Sequence, residues 1–249
     1  MRPVSRVLYA CVFTGRETGS FPRMARVLEH SARQQCLGWT INIEHLAFDG
    51  RVPPSGMLVH AHNTQKLERW VSVTEAWPDG TELLLLDSDT CILHPLDDVW
   101  ARPFDLAYTV KTDPFPFNLG VMFLRLSPAV RRFLQAWVAA NGALFAEPGD
   151  GRPWRRRYGG INQAAFGSLR EQGALAALDV LELPCAEWNC EESGWPSFDR
   201  DRTRIVHVKG ELRRQVFGPA PTRNQMLAPI VTVWNALEAE ALAAHRRTA

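Results

Sequence analysis

The chain contains no run of roughly 18 consecutive apolar residues, the least that a membrane-crossing helix uses, so no such helix is expected. Charge of one sign is also lacking. Lys and Arg number 28 against 27 Asp and Glu, a formal net charge of +1, which argues against a nucleic-acid binder. There is no internal repeat, no long low-complexity tract and no CxxC pair. The five cysteines (Cys11, Cys36, Cys91, Cys185 and Cys190) are odd in number and scattered. That usage suggests small apolar fillers in a reduced, cytoplasmic setting rather than a disulfide framework or a metal site. The opening MRPVSRVLYACVF has no clear small-residue cleavage site, and its apolar run reads as a first strand rather than a signal peptide.

What is present is an ordinary globular composition, 46% hydrophobic and 22% charged over 249 residues. Strand-like and helix-like segments alternate. VSRVLYACVF (4–13) predicts a strand and TGRETG a turn. Ser20 and Pro22 predict a helix start, with Met24, Val27, Leu28, Ser31 and Ala32 at helical spacing. Strands are expected over 40–48, 82–87, 104–110, 118–126, 179–184 and 203–208, with a short one in CILHPL after residue 90. Helices are expected over about 63–77, after Ser127-Pro128, from INQAAFGSL, and over 225–247. The segment 146–160, rich in Gly, Pro and Arg, reads as a mobile loop, with WRRR as a candidate lid over an anion. Strand–helix alternation and no convincing linker predict one α/β domain, its central sheet mostly parallel and flanked by helices. ELLLLD is apolar at every position from 83 to 86, as in a strand covered on both faces.

That strand runs into Asp87 and Asp89. Open α/β sheets bind ligands at the carboxyl ends of their strands. Two carboxylates at i and i+2 on such a turn can converge on a hard cation such as Mg²⁺ or Mn²⁺, which keeps places for phosphate oxygens. A solvated turn is the plain alternative. His207, ending a late apolar strand, could be a third ligand as a neutral imidazole, or simply a satisfied core residue.

Two known patterns resemble the acidic turn. LLLLDSDT matches the haloacid-dehalogenase phosphatase signature letter for letter, which implies Asp87 as nucleophile, Asp89 as general acid and base and Thr90 as a phosphate contact. It also resembles the DxD of GT-A glycosyltransferases, and DSDTCILHPLDDVW resembles the corresponding stretch of nucleotide-diphospho-sugar transferases, including the family 8, glycogenin-like enzymes. Here two strands and two helices precede the acids, as in the transferases, whereas the phosphatase motif usually ends the first strand. Three further segments resemble the transferases in the same order: PFNLGVMFLRLSP (116–128), GGINQAAF (159–166) and IVHVKGELRR (205–214).

The resemblance implies a GT-A-like domain over 1–249, with 1–86 binding the nucleotide, 87–215 holding metal, donor sugar and acceptor, and 225–247 a C-terminal helix. It implies a metal-dependent glycosyltransferase that takes a sugar from a nucleotide diphosphate, UDP foremost, to an acceptor hydroxyl on a glycan, lipid-linked sugar, protein or small molecule, with retention of configuration. Asp87, Asp89 and His207 would hold Mn²⁺ or Mg²⁺. Asn118, Asn162 and Gln163 would act on the donor sugar, Gly120 would let the backbone approach it, and Ser88 and Asn189 would line the pocket. Lys66, Lys209, Gly210 and Arg213 would surround the diphosphate, and Ala10, Val12 and Thr14 would meet the base through the main chain. This sequence departs from the family at Leu119, at Asn162 (where an aspartate is usual) and at Arg213-Arg214 in place of Lys-Pro-Trp. A phosphatase and a nucleotide-sugar-binding protein without turnover stay open as alternatives.

Overall fold

The computed structural model describes residues 4–13, 20–112, 114–147, 152–218 and 224–248. The expected TGRETG turn, Thr14 included, lies outside these residues. In chain order the elements are β1 (Arg6–Phe13), α1 (Ser20–Gln35), β2 (Thr40–Leu46), α2 (Leu58–Thr74), β3 (Glu82–Asp87) and β4 (Thr90–Ile92). After a 3-10 turn over Asp97–Ala101 come β5 (Leu106–Val110), β6 (Phe117–Arg125), α3 (Pro128–Ala146), α4 (Arg152–Tyr158) and α5 (Ile161–Glu171). The chain continues through β7 (Val180–Pro184), α6 (Cys185–Trp188), β8 (Ile205–His207), α7 (Gly210–Phe217) and α8 (Ala228–Thr248).

The central sheet has the order β2-β1-β3-β6-β5-β7. β1 pairs in parallel with β2 and β3, and β5 with β7, while β6 runs antiparallel to both of its neighbours. Five strands therefore share one direction, as the mostly parallel expectation has it, and β6 is reversed. β6 is buried at all but its last position, just as β3 is at all but its last. Burial alone carries no sign of strand direction. The late strand β8 lies outside this sheet and pairs antiparallel with β4, with Thr90 opposite His207.

The pleat sends alternate residues of β3 into two separate cores. Leu83 and Leu85 meet Tyr9, Tyr108 and Met122 under α2, α3 and α5. Leu84 and Leu86 meet Ala10, Val121 and Phe123 under α1 and Trp100. All four leucines are fully buried, so the unbroken apolar run is one strand serving two layers. A third core packs α1 and α8 around Met24, Val206, Leu212 and Trp234 beneath the small sheet. The five cysteines are free and buried, as small apolar fillers would be. Among the described residues no helix is long and apolar enough to cross a membrane.

Local differences from expectation have physical reasons. α1 begins at Ser20 itself, so Ser20 is helical rather than the cap. α2 starts at Leu58, five residues ahead of the expected start, and its first residues Leu58 and Val59 are exposed and apolar, which hides the amphipathic signal. Its cap position is Met57, without a capping side chain. Within 146–160, residues 148–151 lie outside the described set, but 152–158 form α4 rather than a loop. Pro153 suits a first helical turn, and Tyr158 anchors the far end, buried and stacked on Phe117 at 5.4 Å. Ser127 caps α3 as expected, its hydroxyl accepting from the Val130 N–H at 3.3 Å.

Because β3 is covered on both faces, Leu85→Ala should cost about 2–5 kcal/mol. Urea denaturation of wild type and variant measures it, and a change under about 1 kcal/mol would mean that the layer relaxes around the cavity.

Candidate active site

The rigid end of β3 delivers Asp87, and the β4–β8 ladder places His207 across from Thr90, one residue beyond Asp89. The Val208 N–H donates to the Asp89 carbonyl at 2.7 Å and the Thr90 hydroxyl to the Asp87 carbonyl at 2.8 Å, so main chain and side chain together pin the turn. Asp87, Asp89 and His207 can each offer one ligand atom, all within 4.8 Å of one another. His207 Nε2 lies 3.1 Å from Asp89 Oδ1 and 3.8 Å from Asp87 Oδ2. His207 is 4% exposed, and the carboxylates are partly covered.

A hydrogen-bond chain behind His207 sets its orientation. The Thr109 hydroxyl donates to the Asn118 carbonyl at 2.6 Å. Asn118 Oδ1 accepts from the Gly120 N–H at 2.8 Å, so it is the oxygen of its amide. Asn189 Nδ2 then donates to Asn118 Oδ1 at 3.1 Å and to Thr109 Oγ1 at 2.9 Å. This turns Asn189 Oδ1 toward His207 Nδ1 at 3.0 Å. An amide oxygen can only accept, so Nδ1 carries the proton and Nε2 faces the two aspartates. A lone pair on Nε2 facing a carboxylate oxygen at 3.1 Å is favourable only with a cation or a proton between them. Two carboxylates and one imidazole so arranged fit Mn²⁺ or Mg²⁺.

Gly120 leaves the space that this corner needs. A Cβ at that position would lie 2.8 Å from both Asp87 Oδ2 and His207 Cε1. The residue is buried on β6 directly against Asp87 and His207, and any side chain would fill the ligand corner.

The outer oxygens of the aspartates face cations. Asp87 Oδ1 pairs with the Lys66 ammonium from α2, which also lies 4.6 Å above the Trp70 ring. Asp89 Oδ2 pairs with the Arg213 guanidinium from α7, which lies 5.2 Å from the centre of the Phe21 ring. Burial pushes the Asp89 carboxyl up, but the charges of His207, Arg213 and Lys66 outweigh it and hold the group well below the usual carboxylate range.

A cavity of about 310 Å³ opens beside this cluster, lined by Asp87, Ser88, Asp89, Lys66 and Arg213 and by Cys11, Phe13, Phe21, Val59, His62 and Asn63. Its size is at the small end for a ligand site. Phe13 and Phe48 hold the His62 ring from edge and face, at 4.8 and 4.5 Å. A wider depression of about 610 Å³ lies elsewhere, by His94, Asp98 and Arg204. There Arg204 is already held by Asp98 and the Pro95 carbonyl.

Not every expected residue lines the cavity. Ala10 and Val12 are buried, and on the same strand Cys11 and Phe13 line the cavity instead. Asn118 and Asn189 stand behind the corner as supports rather than at the wall. Asn162 turns onto its own helix start, its Oδ1 accepting from the Gln163 N–H at 3.0 Å; a Cβ at Gly160 would lie 3.3 Å from that oxygen and 3.9 Å from Asn63 Nδ2. Gln163 donates to the Tyr158 carbonyl. Gly210 begins α7 with φ +51°, and a Cβ there would collide with the Glu192 carboxylate, so its need for glycine is conformational.

Lys209 pairs with Glu191, at 2.6 Å. Glu191 is 1% exposed and also pairs with Lys111 at the end of β5, another residue that sequence reasoning missed. Burial pushes the Glu191 carboxyl up, but Lys209 and Lys111 bring it down to about 2. Phe13, Phe21, His62 and Asn63 were also missed. Their only signal was position: the strand end, α1, and the face of α2 that carries Lys66.

No protein-family model matches the chain, and no curated protein matches it in sequence. Solved structures do match its fold. A glycosyltransferase involved in the glycosylation of the major capsid of PBCV-1 superposes with a TM-score of 0.56 at 14% identity, over 83% of this chain and 94% of that one. The glycosyltransferase GlyE of Streptococcus pneumoniae TIGR4 gives 0.56 at 12% identity, over 97% of this chain but 64% of its own. The galactosyltransferase LgtC, in complex with donor and acceptor sugar analogs, gives 0.51 at 12% identity, over 94% and 95%. The fold is thus the GT-A-type glycosyltransferase fold.

Two outcomes test the geometry. Gly120→Ala should abolish Mn²⁺ binding in a calorimetric titration while circular dichroism stays native, because the added methyl fills the ligand corner. Glu191 has a folded pKa below its ordinary value of 4.5, so its pairing stabilises the protein above about pH 4.5 and is lost as pH falls toward about 2. Glu191→Gln should therefore cost roughly 3 kcal/mol at neutral pH, and the gap in melting temperature from wild type should close across that acid window. A gap independent of pH would rule this assignment out.

Proposed function

We propose that the protein is a metal-dependent glycosyltransferase that moves a sugar from a nucleotide diphosphate, UDP foremost, to an acceptor hydroxyl. One observation carries the reading: the Asp87–Asp89–His207 corner opens on the same cavity that holds Lys66 and Arg213. A ligand there meets a cation-binding corner, two side-chain cations and aromatic walls together. A nucleoside diphosphate has matching parts.

Asp87, Asp89 and His207 would hold Mn²⁺ or Mg²⁺, with Asn189 keeping the His207 ring turned. The bound ion supplies charge neutralisation to the departing diphosphate. Lys66 and Arg213, already at the corner, are placed to take diphosphate oxygens and stabilise the charge that develops there. Phe13, Phe21 and His62 offer ring surface to the base. Asn162, Gln163 and the hydroxyl acceptor belong on the α5 side, where Gly160 adjoins Asn63. Hexosyl transfer with retention follows the family 8 resemblance. The free, buried cysteines support a reduced compartment.

The solved structures of matching fold favour this reading over a phosphatase with Asp87 as nucleophile. The amide at 162 supports one further reading, a nucleotide-sugar-binding protein without turnover, in which donor binds but no sugar is released.

Calorimetric titration of UDP, with and without Mn²⁺, into wild type and Asp89→Ala tests the proposal. Binding should need Mn²⁺ and should vanish in the variant, and UDP-sugars should then be hydrolysed or transferred. If neither UDP nor GDP binds with any divalent cation, the reading fails, and phosphatase assays become the next step.

A further inference from the structure

We infer that Lys66 and Arg213 are built-in counterions that make metal and diphosphate bind as one unit, an inference that rests on the glycosyltransferase reading above. Each aspartate divides its oxygens in the same way. Asp87 turns Oδ2 toward His207 and Oδ1 to Lys66; Asp89 turns Oδ1 toward His207 and Oδ2 to Arg213. The cations come from opposite walls, α2 and α7, and each also lies over an aromatic ring. Lys66 is 8% exposed as a residue, and the Arg213 side chain 30%. These are partly buried ion pairs, screened less than surface ones.

The charges then decide what can enter. With His207 counted as the neutral ligand it would be to a metal ion, two carboxylates and two side-chain cations cancel among the described residues of the corner. A divalent metal ion added alone leaves an excess of two positive charges in a partly buried site, and it competes with Lys66 and Arg213 for the same carboxylates. A nucleotide-sugar diphosphate added alone brings two negative charges toward carboxylates that are already there. Added together, metal and diphosphate restore neutrality. Asp87 and Asp89 turn to the metal, while Lys66 and Arg213 move from carboxylate to phosphate oxygens. No charge is left unpaired in either state, so the exchange avoids the cost of stranding a buried ion. Donor recognition is thereby tuned to a ligand of two negative charges. After transfer the leaving nucleoside diphosphate carries more negative charge than the donor did.

Mn²⁺ titrations followed by calorimetry and by the electron paramagnetic resonance of free Mn²⁺ test this, on wild type, Lys66→Met and Arg213→Met. Circular dichroism checks the fold of each variant. In wild type, UDP should tighten Mn²⁺ by roughly 5–150-fold, and Mn²⁺ should tighten UDP by the same factor. Uridine, without phosphate, should leave Mn²⁺ affinity unchanged. In each variant Mn²⁺ alone should bind more tightly than in wild type, while UDP in the presence of Mn²⁺ binds more weakly. Opposite signs from a single substitution are what a merely structural role would not give. Lys66→Arg, which keeps the charge, should restore the wild-type pattern and guards against an effect of packing on Trp70. The inference is overturned if UDP binds with Mn²⁺ but both neutralised variants bind Mn²⁺ alone no better than wild type. It is also overturned if uridine tightens Mn²⁺ as UDP does. If wild type binds neither Mn²⁺ nor UDP, the glycosyltransferase reading falls and the inference with it.

Discussion

Two carboxylates at the rim of an apolar sheet cannot stand alone, and the structure around them answers that constraint. β3 is fully covered, so its end is rigid and partly shielded from water. Asp87 and Asp89 must find opposite charge nearby or shed their own. The protein brings His207 on a separate small sheet, Lys66 on α2 and Arg213 on α7. Much of the fold beyond the central sheet serves this convergence. β4 and β8 pair to place His207, α7 follows β8 to place Arg213, and α8 packs with α1 to cover the small sheet. The Arg23–Glu238 pair, at 2.5 and 2.7 Å, ties α8 to α1.

Packing and chemistry meet most closely at β6. Its residues belong to both cores, yet it also supplies Asn118 and Gly120 to the site. Asn118 links Gly120, Thr109 and Asn189 in one chain that ends on the His207 ring. The imidazole orientation therefore depends on residues of β5, β6 and the segment after α6. A second buried ionic group, Glu191 between Lys111 and Lys209, joins the end of β5 to the start of α7 and steadies the approach to Arg213.

The sequence made some of this legible. An apolar run too regular for anything but a covered strand marked β3, and the acids that end it marked the site. His207 and Gly120 could be found through the order of motifs shared with a known family, since neither is distinctive alone. Other features were hidden for physical reasons. The reversal of β6 leaves no trace, because a strand buried on both faces looks the same in either direction. The early start of α2 was masked by exposed apolar residues, and α4 by proline and glycine around a helix-forming core. Cavity residues Phe13, Phe21 and His62 resemble core aromatics in a linear reading, and only the tertiary fold sets them around an opening. Lys209 lay close to the motif but was claimed by Glu191, a partner that appears only once the chain has folded.

The Arg213–Asp89 pair joins residues 124 positions apart. On a ribosome the acidic turn emerges long before His207 and Arg213, the partners of Asp89. A nascent chain with β1 to β6 assembled could already pair Asp87 with Lys66, but Asp89 would have no imidazole and no guanidinium opposite. Native pairing waits until β8 and α7 are synthesised and dock onto β4. The Asp87–Asp89–His207 set is thereby completed only at the close of folding, and incomplete chains are left with its carboxylate half alone.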